Sequence, residues 1–379
     1  MDDVIDTTHR RSHLSFLNRV YSRQPPAILV TGNRTVMADL RLYSTSFVSR
    51  RLNPSTFVLS EDDSYGEQPY IYVKLGFNSV IITDTGCNSP RDKTIKLTSL
   101  RQFIEEYPIP SYNNQSLNPN GEKPYIIICT HCHYDHILGL PEFLSSNPTI
   151  VASENGKSFI LEDLPTSSLC KYMNVSTPDY KVSHWARQLE YFSMHNTHFR
   201  IQFIQIPGHT PDSLAWYDIE EQYLFVGDTL YTRHRYPVIS ELPDEADQNP
   251  SLPSTQAAII FPEEGGNWIQ YMASLNLLSS FAKHRNSELS RQHESNETAA
   301  PRVRLACGHL TYAVDAEEMI LEVQALFWRI ISRKVAVKRT EVKRGVIHDY
   351  WLESDESKYG VMAPRHLAEE ARIHFQPKQ

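Results

Sequence analysis

The residues best able to do chemistry stand together at 131–136: His131, Cys132, His133, Tyr134, Asp135 and His136. With 16 histidines in 379 residues, three imidazoles and a carboxylate within six positions are a rare coincidence. Imidazole and carboxylate donors with no paired thiolates suit Zn2+, and also Fe or Mn; the residue types alone do not choose. His131 and His133 lie two apart, so in an extended chain they face one side. Asp135 and His136 follow as the backbone turns into a helix, and reach a second point nearby. Three further residues share this character: His209 in Ile-Pro-Gly-His-Thr-Pro-Asp, Asp228 in Leu-Phe-Val-Gly-Asp-Thr-Leu and His309 in Leu-Ala-Cys-Gly-His-Leu. Each follows an apolar run and a glycine, which lets the backbone turn and the next side chain approach a ligand closely.

Strand ends must aim these residues into one cleft. Residues 125–130 (Tyr-Ile-Ile-Ile-Cys-Thr) form a continuous apolar run of buried-strand length. Short strand-like runs occur at 56–59, 70–75, 79–83, 200–206, 213–217, 223–226 and 302–307. Helical patterns lie at 10–24, 96–107, 267–284 and 316–338. Residues 111–123 read as a loop. Residues 286–300 lack an apolar period and read as an exposed, flexible loop. Strands and helices alternate without a repeat or a linker. The chain therefore reads as one α/β domain over 56–340, with an N-terminal extension at 1–55 and a C-terminal extension at 341–379.

Composition narrows the function classes. An apolar share of 40% excludes disorder, and the charge sum of −8 sets the chain against phosphate backbones. No nucleic-acid partner is expected. No run of 18 apolar residues is present, so no membrane association is expected either. The acidic start (Asp2, Asp3, Asp6) is unlike a signal peptide, which points to the cytoplasm. Five scattered cysteines, Cys87, Cys129, Cys132, Cys170 and Cys307, do not make a disulfide framework and read as small buried hydrophobes. The basic stretch 334–344 reads as a solvated helix face. His195 and His198, three apart, lack a third ligand and read as ordinary polar residues.

The ordered motifs resemble those of the metallo-β-lactamase fold superfamily. Thr-His-Cys-His-Tyr-Asp-His resembles that family's second motif, Pro-Gly-His-Thr-Pro its third, Phe-Val-Gly-Asp-Thr-Leu its fourth and Gly-His its fifth. Ile-Ile-Thr-Asp84-Thr-Gly resembles the first. The resemblance runs from about Tyr70 to His309. It implies a four-layer αββα sandwich of two mixed sheets with helices outside, holding two divalent metal ions. By the same resemblance, His131, His133 and His209 would hold one ion. Asp135, His136 and His309 would hold the other, Asp228 would bridge both, and Asp84 would support the site from behind. Aspartate at 228, where many true β-lactamases carry cysteine, places the chain nearer the glyoxalase II and lactonase branches.

The implied mechanism is hydrolytic. A metal-bound hydroxide attacks the carbonyl of a small lactone, lactam, ester or thioester, in detoxification or secondary metabolism, while Asp135 orients it and takes its proton. Ring opening of a lactone or lactam ranks ahead of thioester cleavage. Tyr134, Tyr231 and His234 stand nearest the motifs as proton donors to the leaving group. Zinc is the leading metal. An alternative is a mononuclear iron sulfur dioxygenase, which uses the same residue types; a nuclease ranks lower, given the charge. Residues 231–261, long and proline-rich, are expected to shape substrate choice, with Trp268 and Tyr271 packed in the core. The partner expected is a small-molecule substrate, and the terminal extensions offer room for homodimer contacts.

Overall fold

The structure, a computed structural model, describes residues 44–192, 200–234, 257–293 and 299–376. The helix expected at 10–24, His195 and His198 lie outside the described residues, as does most of the 231–261 segment.

Seven strands lie side by side in chain order: β1 (Phe47–Arg51), β2 (Thr56–Glu61), β3 (Tyr70–Leu75), β4 (Val80–Thr83), β5 (Tyr125–Ile128), β6 (Thr149–Ser153) and β7 (His184–Ala186). β1 to β4 are antiparallel neighbours, and β4 to β7 run parallel. Parallel neighbours need a crossover, and between β4 and β5 this includes helix α1 (Leu100–Glu106). Ser99 Oγ accepts the Gln102 N–H at 3.1 Å, which starts α1 later than residue 96. Pro108 restricts Tyr107 to extended backbone and ends it. After β5 the chain makes a single helical turn, α2 (Tyr134–Ile137).

The second sheet takes β8 (Tyr191–Phe192), β9 (Ile201–Gln205), β10 (Leu214–Asp218) and β11 (Tyr223–Phe225). After β12 (Ile259–Ile260), which joins another sheet, it resumes with β13 (Arg304–Ala306) and β14 (Tyr312–Asp315). It too is mixed: β11 and β13 are parallel, and its other pairings are antiparallel. Alternate residues of each strand bury opposite faces. Val58, Tyr72, Ile81 and Ile126 pack against Phe203, Leu214, Trp216 and Phe225, joining the two sheets. On the far face of the first sheet, Phe57, Val73, Ile82 and Ile127 cluster with Leu100, Phe103 and Ile104 of α1. On the far face of the second, Ile204, Ala215, Leu224 and Leu305 meet α3 (Trp268–Gln292), α4 (Ala316–Ile331) and α5 (Arg365–His374). Each such valine, leucine, isoleucine or phenylalanine side chain contributes about 1.5–3 kcal/mol when fully buried. The layers are helix, sheet, sheet, helix: the four-layer αββα sandwich that the motif resemblance implies.

The C-terminal third departs from the sequence reading. Helix α3 continues to Gln292, eight residues beyond the apolar pattern. The stretch 286–292 is therefore helical rather than loop. Asn286 is buried, accepting the Val303 N–H at 2.8 Å and donating to Glu317 at 2.9 Å. Helix α4 ends at Ile331, not 338, because Arg333 adopts a left-handed conformation (φ 61°). The basic stretch 334–344 is mostly strand, not helix: β15 (Val337–Lys343) turns through Arg344 and Gly345, both with positive φ, into β16 (Val346–Trp351). With β17 (Val361–Pro364) and β12, these strands form a third sheet ordered β12-β17-β16-β15. Strand β15 runs across the boundary expected at 340/341, and β1, which lies within 1–55, pairs with β2 beyond it. All five cysteines are buried and free. Among the described residues, no helix is long and apolar enough to cross a membrane.

Candidate metal centre

The motif residues converge at strand ends between the two sheets. β5 ends at Ile128, and the chain stays extended through His131 and His133 before α2 carries Asp135 and His136. His209 follows β9, Asp228 follows β11 and His309 follows β13. Helix α3 ties two of these loops together. Its Ser274 hydroxyl donates to the Pro207 carbonyl at 2.7 Å, its Tyr271 hydroxyl donates to Thr229 O at 2.5 Å, and the Asn267 N–H donates to Gly208 O at 2.8 Å. Gly308 is required by packing: a Cβ there would stand 2.1 Å from Asp228 Oδ1.

The donors fall into two groups, each with its atoms within 4.8 Å of one another: His131, His133 and His209, then Asp135, His136, Asp228 and His309. All seven residues are buried. In the first group, His133 Nδ1 lies 3.0 Å from His131 Nε2 and 3.2 Å from His209 Nε2. In the second, His136 Nε2 is 3.3 Å from both Asp135 Oδ2 and Asp228 Oδ1. His309 Nε2 is 3.2 Å from Asp135 Oδ2 and 3.3 Å from Asp228 Oδ2. Asp228 Oδ2 also lies 3.9 Å from His131 Nε2, so its carboxylate reaches towards both groups.

The outward ring nitrogens are held by the frame. His136 Nδ1 meets Asp84 Oδ2 at 2.8 Å, His209 Nδ1 meets the Ile260 carbonyl at 2.8 Å and His309 Nδ1 meets the Glu67 carbonyl at 3.0 Å. Each contact leaves the other nitrogen free to face the centre. Asp84 itself accepts the Thr130 N–H and hydroxyl, both at 2.8 Å. Tyr231 is buried with its ring 5.7 Å from that of His309, and its hydroxyl oxygen faces the Ile260 N–H at 3.4 Å. Tyr134 donates to the Glu67 carboxylate at 2.5 Å. His234 is exposed and belongs to neither donor group. Glu67 escaped the sequence reading: it lies in a polar loop 242 residues from His309, with no motif to mark it.

The electrostatics fit cations. Burial, with the neighbouring imidazoles, pushes His131 well below the usual histidine range. Burial and His209 lower His133 to about 3, and burial lowers His209. These three are neutral donors, as metal ligation requires. Burial would also lower His136 and His309, yet the surrounding carboxylates, chiefly Asp135 and Asp228, outweigh it and raise both. Burial alone would raise Asp228, but the charges of His309 and His136 outweigh it and hold its carboxyl well below the ordinary value. Two buried carboxylates thus demand positive charge at the centre of the second group. Among the described residues, His136 Nε2 and Asp228 Oδ1 face each other without a well-aligned hydrogen bond, and a divalent ion would satisfy both.

An αββα sandwich with two adjoining His/Asp donor groups at its strand ends defines a metallo-β-lactamase-type centre. The chain matches the metallo-beta-lactamase superfamily over residues 66–280 and belongs to it. It is 30% identical over 335 residues to a protein of Aspergillus versicolor provisionally named as the transcription factor avaE, covering 86% of this chain and 89% of that one. It is also similar to hydroxyacylglutathione hydrolases, at 29% identity over 117 residues in Photorhabdus laumondii (31% of this chain) and 28% over 106 residues in Psychromonas ingrahamii (28% of this chain). The chain spans only 38% and 33% of the length of those two enzymes. Among solved structures, a metallo-beta-lactamase family protein from Thermus thermophilus aligns with a TM-score of 0.46 at 15% identity, covering 77% of this chain and 86% of that one. A metallo-beta-lactamase from Pontibacter korlensis aligns at 0.44 and 12%, covering 74% and 98%. Divalent metal binding is the family's shared property, and both donor groups here suit it.

Proposed function

We propose that this chain is a binuclear metallohydrolase, with zinc the leading metal, that cleaves or opens a small carbonyl compound: a lactone, lactam, ester or thioester. The observation that carries this reading is Asp228, whose two oxygens face the histidine donors of both groups. His131, His133 and His209 would hold one ion, and Asp135, His136 and His309 the other. Ions at these positions supply Lewis acidity and lower the pKa of water towards neutrality.

The chain's own groups do the rest. Asp228 fixes the spacing of the two positions. Asp135, with Oδ2 3.2 Å from His309 Nε2, orients the attacking water and holds its proton. Burial and the charge of Asp228 keep the Tyr231 hydroxyl protonated, so it donates rather than attacks. It is the better placed of the sequence-derived proton donors, because Tyr134 is engaged by Glu67 and His234 stands outside. The partner is a small molecule. A net charge of −8 disfavours nucleic acid, so the name borne by the Aspergillus relative is not carried over.

The test is metal content per chain in protein purified without added metal, followed by a screen of lactones, lactams, esters and thioesters. Two ions per chain with turnover support the reading, and His131→Ala and Asp228→Ala should then abolish turnover while circular dichroism stays native. One iron per chain with oxygen uptake would replace it by sulfur dioxygenase chemistry. Full activity and two ions in Asp228→Ala would remove Asp228 from the centre.

A further inference from the structure

We infer that Asp63, a fully buried acid just beyond β2, is the positioning residue for His309 and, through it, for the second donor group alone; this rests on reading that group as a metal position. Among the described residues, Asp63 makes no hydrogen bond or ion pair to any of the seven donors. Its Oδ1 accepts the backbone N–H groups of Tyr65 at 2.8 Å, Gly66 at 2.7 Å and Glu67 at 3.3 Å, and its Oδ2 accepts that of Gln68 at 2.6 Å. Four successive N–H groups thus close on one carboxylate, and Gly66 makes the turn with φ 82°.

The loop so closed delivers two contacts. The Glu67 carbonyl faces His309 Nδ1 at 3.0 Å, and the Glu67 carboxylate accepts the Tyr134 hydroxyl. The Tyr65 ring packs edge-on against Tyr134 at 5.5 Å, which seats the loop over the turn carrying Asp135 and His136. Among the described residues, the Glu67 carbonyl is the anchor that His309 Nδ1 meets. The first group is anchored elsewhere, through the Ile260 carbonyl on His209 and the Thr130 hydroxyl 3.2 Å from His131 Nδ1. A loosened 65–68 loop therefore frees one imidazole of the second group and none of the first.

Partners that orient a metal-ligating histidine are worth about 10–100-fold in metal affinity. The experiment titrates Zn2+ into the metal-free full-length chain by calorimetry, with wild type, Asp63→Ala, Asp63→Asn and Glu67→Ala compared. In Asp63→Ala, one site should keep its wild-type affinity and the other weaken by about 10–100-fold. Asp63→Asn keeps one acceptor oxygen, so it should fall between. Glu67→Ala keeps the carbonyl on His309 but removes the carboxylate that accepts the Tyr134 hydroxyl, so it should weaken the second site alone, and by less than Asp63→Ala. Circular dichroism checks folding, and Asp63→Asn carries the test if the alanine variant does not fold. Two wild-type affinities in both Asp63 variants would overturn the inference, and so would equal weakening of both sites. Fewer than two sites in the wild type would overturn the binuclear reading itself, visibly and before any variant is compared.

Discussion

The carboxylate of Asp84 stands behind His136, with Oδ2 2.8 Å from its Nδ1, while Oδ1 takes the Thr130 N–H at the end of the strand leading to His131. One side chain thus braces a donor of the second group and the approach to the first. Its φ of 59° is a conformation that aspartate and asparagine tolerate better than most residues. Asp84→Asn should therefore fold, but its amide nitrogen cannot accept. Metal affinity should fall about 10–100-fold at the second position, measured by zinc competition with a chelating dye. Wild-type affinity in that variant would show that the contact orients nothing.

Gly308 gives a steric test. A Cβ at this position would lie 2.1 Å from Asp228 Oδ1 and 3.1 Å from His136 Cε1, so Gly308→Ala must displace the carboxylate that faces both groups. Turnover should drop more steeply than the melting temperature. Gly345, at the tip of the β15–β16 hairpin, is the control: a Cβ there meets nothing within 4 Å, and only its φ of 83° opposes substitution. Gly345→Ala should cost about 1 kcal/mol of stability and leave metal binding alone.

Glu61, at the end of β2, gives a pH test. Its carboxylate accepts the N–H groups of Cys87 and Asn88 at 3.0 Å and of Ser89 at 2.8 Å, yet burial raises its pKa from 4.5 to about 7. A raised folded-state value means that this group's stabilising contribution is complete below about pH 4.5 and is lost as pH rises through 7. The change is on the order of 3 kcal/mol. Glu61→Gln removes the titration. The stability of wild type relative to the variant, read from urea unfolding, should therefore be greatest at the acid end of that window and fall towards pH 8. A difference constant from pH 4.5 to 8 would remove Glu61 as a titrating group.

Lys74 and Asp218 form an ion pair at 2.6 Å with both side chains buried, joining β3 to β10 across the sandwich. Asp218→Ala removes the nearest carboxylate from the buried Lys74 ammonium, which keeps the Ser55 hydroxyl at 3.1 Å and the Glu220 carboxylate at 3.9 Å, and should destabilise the fold by about 3 kcal/mol in denaturant unfolding. Replacing both, as Lys74→Met with Asp218→Leu, should recover most of that loss. If the double variant is no better than the single one, the pair matters through its hydrogen bonds rather than its charge.

The donor residues were legible because each sits just past an apolar strand, where a local pattern of glycine and histidine marks it. Their anchors were not. Asp63 and Glu67 act on His309 across more than 240 residues of chain, and no short-range spacing encodes that contact. Helix α3 ran past its apolar pattern because Asn286 and Arg285 hold its last turns by polar contacts, Asn286 to Val303 and Glu317 and Arg285 to Glu288. The β15–β16 hairpin was hidden by its lysines and arginines, which suit a helix as well as an edge strand. Its Arg344–Gly345 turn is a weaker sign than asparagine–glycine.

Strand β12 hangs on the C-terminal segment: Ile259 and Phe261 donate to the carbonyls of Gly360 and Met362, which leaves the Ile260 carbonyl turned towards His209. A nonsense codon anywhere between residues 337 and 360 would delete no metal ligand, yet it would take away the neighbour that keeps β12 in place. Alleles shortened at this end should therefore behave genetically like lesions of the proposed centre, although the codons of all seven donor residues upstream are intact.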